Sequence, residues 1–274
     1  MGALLAPASA VCYGVVDFAG GLLSRRVHFA AVAFLGQVGG LALAVVAALL
    51  MTTHDVRLAD LLWGALSGVG SGAAMHFLNR GLSRGAMSVV VPVSAVTGVA
   101  LSVLCGVLVL GDRPGALAWV GIVVTVPALW LVSGGGTGPG QAVTDGLLAS
   151  AGVAVQYLAL GQAGPESGLW PVAAGRVAAV LLLLPGALRH TGRLRLPPRS
   201  SAEALLIGAG AALGLVLYLL AAQRQLLSVA VVLASLYPAL PVVLGVALLH
   251  ERVDRRQAVG LIGAAAATVL LTLG

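Results

Sequence analysis

The sequence predicts an all-α polytopic membrane protein with ten transmembrane helices in two inverted five-helix repeats. Three observations carry that expectation. Hydrophobic residues make up 59% of the 274 residues and charged ones 9%, with a mean hydropathy of +1.06, whereas an ordinary soluble surface calls for about 25% charged residues. Apolar stretches recur from end to end, each near the roughly 20 residues that a bilayer-crossing helix needs. They are solid blocks of Leu, Val, Ala and Gly rather than ten-residue segments of alternating polarity, which excludes a membrane β-barrel. Five stretches fall on each side of a glycine-rich segment.

In chain order the spans are expected at Leu4 to Ser24, Phe29 to Leu50, Leu61 to Phe77, Met87 to Leu110 and Ala116 to Val132, then Gly146 to Ala163, Leu169 to Leu188, Ala204 to Ala222, Leu226 to Leu249 and Ala258 to Leu273. Brief polar segments such as Arg25-Arg26 and Gly111-Asp112-Arg113-Pro114 separate them. The stretch from Ser133 to Thr144, rich in Gly, cannot hold a helix and reads as a flexible linker. Residues 1–132 then form the first five-helix unit, 133–145 the junction and 146–274 the second unit.

The halves echo each other. A shift of 139 residues carries Gly111-Asp112-Arg113 onto His250-Glu251-Arg252, Val120-Gly121-Ile122 onto Val259-Gly260-Leu261, and Gln37 onto Arg176. Leu4-Leu5-Ala6-Pro7-Ala8 resembles Leu147-Leu148-Ala149-Ser150-Ala151, with Tyr13 and Tyr157 following. Five spans per unit turn the second copy upside down in the membrane, a plan that gives secondary transporters two related conformations around one midplane site.

The net charge of +6 comes from fifteen Arg, no Lys and nine acids. The arginines sit in short turns rather than on a basic face, which argues for membrane topology over nucleic-acid binding. Turns after odd-numbered spans hold Arg25, Arg26, Arg80, Arg84, Arg189, Arg193, Arg195, Arg199, Arg252, Arg255 and Arg256; the other side holds Arg57, Arg113 and Arg224. The positive-inside rule places the former in the cytoplasm and both termini outside. Cys12 and Cys105 lie in apolar runs without partners at metal-ligand spacing and read as small core residues. No basic segment precedes the first span, so a cleaved signal peptide is not expected.

Glycines recur every fourth residue at Gly64, Gly68 and Gly72, a spacing that lets helices approach closely in lipid. Asp17 and Arg176 are the charges inside apolar spans, at depths differing by roughly 8 Å counted at 1.5 Å per residue. That depth difference allows an Asp17–Arg176 pair, either permanent or exchangeable with a charged or zwitterionic solute, and leaves direct pairing open. Tyr13, Gln37, Gln156 and Tyr157 lie near the same depth and serve either as interhelical hydrogen-bond groups or as solute contacts. Pro92, Pro127, Pro171, Pro238 and Pro241 fall within the expected spans, densest in Leu236-Tyr237-Pro238-Ala239-Leu240-Pro241, a candidate mobile or site-lining segment.

No enzyme signature stands out. Gly68-Val69-Gly70-Ser71-Gly72 has the wrong register for an intramembrane serine protease, and His76 lies five residues beyond Ser71. Metal clusters, nucleotide loops and other cofactor motifs are absent from the sequence.

The five-plus-five plan, the Tyr237–Val242 proline motif followed by His250-Glu251-Arg252, its counterpart Gly111-Asp112-Arg113-Pro114, and the opening Tyr13-Gly14 resemble the drug/metabolite transporter superfamily, EamA type. Here Asp112 stands where the family more often has Glu, and Gln37 stands where repeats often carry the Arg found at Arg176. The resemblance implies a permease in the inner or plasma membrane, often an exporter of amino acids, metabolites or drugs. It also implies cytoplasmic termini, against the arginine distribution. The expected function is export of a small molecule by alternating access, with proton or counter-substrate coupling left open. A membrane scaffold or receptor is the alternative, and an intramembrane enzyme ranks below it.

Overall fold

A computed structural model describes residues 5–51, 53, 55–111, 113–133, 140–189, 196–224 and 237–273. Among them are ten α-helices and no strand: α1 (Leu5–Arg26), α2 (Phe29–Leu50), α3 (Leu58–Leu82), α4 (Met87–Cys105), α5 (Ala116–Val132), α6 (Gln141–Gly161), α7 (Trp170–Arg189), α8 (Pro198–Arg224), α9 (Ala239–Leu249) and α10 (Arg255–Leu273). Eight of them are long and apolar enough to cross a bilayer; α5 and the described part of α9 are shorter. The first part of the expected ninth span, together with Leu236, lies outside the described residues, as do Asp112, Arg193 and Arg195.

Helices outrun the hydropathy signal where polar first and last turns keep the helical hydrogen bonds. Thus α3 begins at Leu58 and runs to Leu82, past Arg80. Likewise α6 starts at Gln141, so residues 141–145, expected in the flexible junction, are helical. Its fifth residue, Asp145, is 2% exposed and accepts from Arg80 Nε at 2.9 Å and Arg84 Nη1 at 3.3 Å, which ties that turn to the end of α3. The prolines interrupt fewer helices than their positions suggested. Pro171 stands in the first turn of α7, where no backbone donor is needed, while Pro92 and Pro127 lie inside α4 and α5. Pro238 is the N-cap of α9 and Pro241 lies in its first turn.

Ion pairs and caps divide the helix ends between two faces. On one, Arg80 and Arg84 meet Asp145, and Arg25 at the end of α1 meets Glu251 between α9 and α10. On the other, Asp60 at the start of α3 accepts from Gly164 N (2.9 Å) and Ser167 Oγ (2.6 Å) before α7, and Arg57 pairs with Glu166 at 2.9 Å. The first face carries most of the arginines.

The packing follows a paired scheme. Helix α3 packs on α6 and α7, as α8 packs on α1 and α2; α2 meets α7, and α5 meets α10. At the closest crossings only glycine fits. A Cβ on Gly68 would overlap the carbonyl of Gly175, and one on Gly208 would overlap that of Gly36. A Cβ on Gly64 would likewise overlap the carbonyl of Pro171, and Gly72 faces Ala179 at 3.3 Å, so Gly64, Gly68 and Gly72 all turn toward α7. Backbones brought this close exchange dispersion contacts that lipid tails cannot better. The ends of α4 and α9 also match. A π-helical turn, Gly106–Leu110, extends α4 and closes at Gly111 (φ 75°), whose N–H returns to the Gly106 carbonyl. Helix α9 ends at His250 (φ 54°), which closes on the Gly245 carbonyl.

Candidate functional site

The chain contains four tyrosines, and all four line one cavity of about 200 Å³: Tyr13 on α1, Tyr157 on α6, Tyr218 on α8, and Tyr237, which leads into α9. The Tyr13 and Tyr237 rings lie 5.8 Å apart, tilted by 52°, within the range of favourable aromatic pairs. Pro238 forms part of the wall. Ser9, Ser102, Thr268 and Thr272 also line the cavity, and each hydroxyl donates to a backbone carbonyl, at 2.7, 2.8, 2.9 and 3.0 Å. Those donors are spent, leaving oxygen lone pairs. The phenol hydroxyls are different: among the described residues, none has a hydrogen-bond partner. Four amphipathic rings with unspent donors suit a solute having both an apolar body and polar groups.

Asp17 lies one turn beyond Tyr13 on the same side of α1 and is half-buried. Among the described residues it has neither an ion pair nor a hydrogen bond. The Asp17–Arg176 pair that depth allowed is therefore not formed. Arg176, 5% exposed, instead donates from Nη1 to Gln37 Oε1 at 2.8 Å, and the fully buried Gln37 donates onward to the Ser71 carbonyl at 3.5 Å. The reason is geometric: Gln37 and Arg176 sit 139 residues apart at the crossing of α2 and α7, so the equivalent positions face each other. Gly40 makes room, since a Cβ there would stand 3.4 Å from Arg176 Nε.

A small polar recess beside this pair is lined by Ser67, Ser71, Gln156 and Arg176, and Leu215 forms a wall of both it and the tyrosine cavity. Tyr13, Tyr157, Tyr237 and Pro238 thus share the cavity, while Gln156 and Arg176 share the recess. Pro241 is fully buried and lines neither. Sequence reasoning missed Tyr218 and the lining hydroxyls; the scarcity of tyrosine was the signal available.

The cavity occupies the half of the bundle away from the arginine-rich face, where Glu251 ties together the ends of three helices. The left-handed turn at His250 directs its carboxylate to the start of α4, where it accepts from Met87 N (2.9 Å), Ser88 N (2.9 Å), Ser88 Oγ (2.8 Å) and Arg25 Nη2 (3.1 Å). Arg25 also donates to the Leu82 and Gly85 carbonyls, at 3.2 and 2.9 Å. One carboxylate thus joins α1, α4 and α9. Burial acts to raise its pKa, but the Ser88 and Met87 amides, the Ser88 hydroxyl and Arg25 outweigh it and hold the carboxyl below its ordinary 4.5.

The family model for EamA-like transporters matches residues 1–134 and 143–273. The chain belongs to the EamA-like transporter family. It is accordingly a multi-pass plasma-membrane protein of a transporter family, whose members act on small molecules within a lipid bilayer. No curated protein matches the chain. A solved crystal structure, titled only as that of a protein, aligns with 99% of this EamA chain and 96% of its own, with a TM-score of 0.62 and 18% identity, a likeness of fold. Among the described residues, no group of three or more His, Cys, Asp or Glu is arranged to hold a metal ion.

Proposed function

We propose that this protein is a secondary transporter that exports a small amphipathic solute, an amino acid, metabolite or drug, by alternating access, and that the tyrosine cavity is the solute site. The observation that carries the reading is the convergence of every tyrosine of the chain on one cavity, with no phenol hydroxyl hydrogen-bonded among the described residues. Polar groups in a membrane bundle find partners; phenols that open on a cavity without them are free to meet a solute or confined water.

Ten spans in two inverted repeats are part of the proposal. The exchange of packing partners between α3 and α8, the two glycine crossings, and the left-handed ends at Gly111 and His250, 139 residues apart, support it. So do the two matched stretches on either side of the linker. The tyrosine cavity in one half, with a carboxylate clamp joining α1, α4 and α9 at the opposite end of those helices, corresponds to one end state of an alternating-access cycle. With the arginine-rich face in the cytoplasm, that state faces outward. Asp17, without a partner among the described residues, and the Arg176–Gln37 pair flank the cavity as recognition groups for a charged or zwitterionic solute, with Asp17 also the candidate proton carrier. Tyr237 to Pro241 is the segment proposed to move between states.

Flux into liposomes containing the purified protein, over a panel of amino acids, amines and organic drugs with and without a pH gradient, tests the reading. Saturable, protein-dependent flux of at least one solute is expected. Liposomes no more permeable than empty ones to every member of the panel would contradict it.

A further inference from the structure

A second cavity, of about 640 Å³, opens at the arginine-rich end between α2, α3 and α7. Its polar lining is His28, His76, Arg80 and Arg84, set among Phe29 and Phe77. The groups form a continuous ladder. The His28 and Phe29 rings stack at 4.6 Å, Phe29 meets His76 edge-on at 5.2 Å, His76 meets Phe77 at 5.4 Å, and the Arg80 guanidinium lies 4.8 Å above Phe77. Asp145 is the carboxylate that both arginines share, Arg80 at 2.5 Å and Arg84 at 3.3 Å. Two guanidiniums on one acid leave an excess positive charge in the crevice. Arg84, with its side chain 44% exposed, is the more open of the two.

Fold geometry does not require these cations. At the opposite end, between α2, α7 and α8, a corresponding crevice of about 260 Å³ is walled by Met51, Leu169, Val172, Leu219 and Leu220. The 139-residue shift carries His76 onto Leu215 and Arg80 onto Leu219. The same packing is therefore satisfied without charge, and the histidines and arginines are an addition at one end only. Their surroundings indicate the ligand. The start of α2 brings the positive end of a helix to the crevice. Leu182 and Leu183 continue the lining in apolar form, and Leu181 and Leu188 on the same helix are exposed, as a lipid-facing surface would be.

We infer that this crevice binds the phosphate headgroup of an anionic phospholipid from the leaflet on the arginine-rich side, with an acyl chain lying along α7. Arginine presents paired N–H donors matched to phosphate oxygens, and basic pockets between transmembrane helices recognise acidic headgroups. A ligand whose charge meets Arg84 while its chains stay in the bilayer uses both the basic and the apolar parts of the site; a soluble phosphate uses only the first.

Native mass spectrometry of the intact protein, supplied with phosphatidylglycerol or with phosphatidylcholine of identical acyl chains, tests this. Phosphatidylglycerol should be retained in about tenfold preference. The Arg84→Gln variant should lower its retention about fivefold, the effect of one basic residue near a membrane surface, without changing phosphatidylcholine retention. His76→Gln is a second variant that leaves the Asp145 pairs intact and should weaken retention in the same direction. Equal retention of the two lipids, or a preference unchanged in both variants, overturns the inference. Displacement of the lipid by soluble glycerol phosphate at equal concentration also overturns it, assigning the site to a free anion.

Discussion

Glu251→Gln should open the arginine-rich side of the protein. The carboxylate, with its side chain 9% exposed, satisfies two backbone N–H groups at the start of α4, a hydroxyl and Arg25. An amide at this position turns one acceptor into a donor that faces donors, and removes the charge at a helix start. Losing a cap hydrogen bond costs about 1 kcal/mol, the charge–helix interaction roughly 0.3–1 kcal/mol, and the partly exposed bond to Arg25 about 0–1 kcal/mol. The sum, about 1.3–3 kcal/mol, corresponds to a shift of about 10- to 150-fold in the equilibrium between clamped and released forms. Ser94 on α4 is buried, about 10 Å in from the helix start at 1.5 Å per residue. A cysteine there, in a chain lacking Cys12 and Cys105, reports access through labelling by a membrane-impermeant maleimide applied from the arginine-rich side. Labelling should accelerate toward that factor in Glu251→Gln at an unchanged folded fraction. A rate within twofold of the parent would refute the clamp.

The same carboxylate predicts a pH response. Because its native pKa is depressed below 4.5, its stabilisation is complete above that value and is lost as pH falls through the native one; labelling of Ser94→Cys should therefore rise only below about pH 4.5, and Glu251→Gln should remove this rise. Gly68→Leu and Gly208→Leu should each destabilise the fold by more than the usual 1–3 kcal/mol of overpacking, because the new side chain meets backbone rather than a movable group; normal thermal stability of either variant would contradict the close crossings. In a double-mutant cycle Gln37→Ala and Arg176→Gln should couple by about 0.5–3 kcal/mol, whereas Asp17→Asn and Arg176→Gln should be close to additive; thermal unfolding of the six proteins distinguishes these outcomes. His250→Gly should be neutral or stabilising by about 1 kcal/mol, since glycine adopts the left-handed turn without the Cβ penalty; a lower melting temperature would argue against that conformation.

The spans were legible because a bilayer imposes length and polarity directly on the chain. Phe29–Leu50 and Ala116–Val132 could be read to the residue. Helix ends were less visible: the turns holding Arg80 and Asp145 are polar yet helical, and what keeps them so is an ion pair between residues 65 positions apart. Depth along a helix could be counted, but rotation about its axis could not. Depth alone suggested Asp17 for Arg176, whereas the α2–α7 crossing turns Arg176 toward Gln37. That partner was marked in the sequence as its equivalent under the 139-residue shift, but equivalence does not by itself imply contact. Tyr218 escaped for the same reason, since its place in the cavity depends on which side of α8 faces inward. The acidic residue after the ninth span was visible as a motif. Its hold on α4 needed the fold.

The most direct measurement of the central claim is solute flux through liposomes containing the parent protein or the single variants Tyr13→Phe, Tyr157→Phe, Tyr218→Phe and Tyr237→Phe, using a solute that the parent transports. Each change removes one unspent hydroxyl from the cavity and keeps the ring, so folding should be preserved. A solute held by these groups should lose about 0.5–1.5 kcal/mol per hydrogen bond, a two- to twelvefold rise in half-saturating concentration, in at least two of the four variants. Parent-like flux and half-saturation in all four, at equal folded protein, would contradict the assignment of the tyrosine cavity as the transport site.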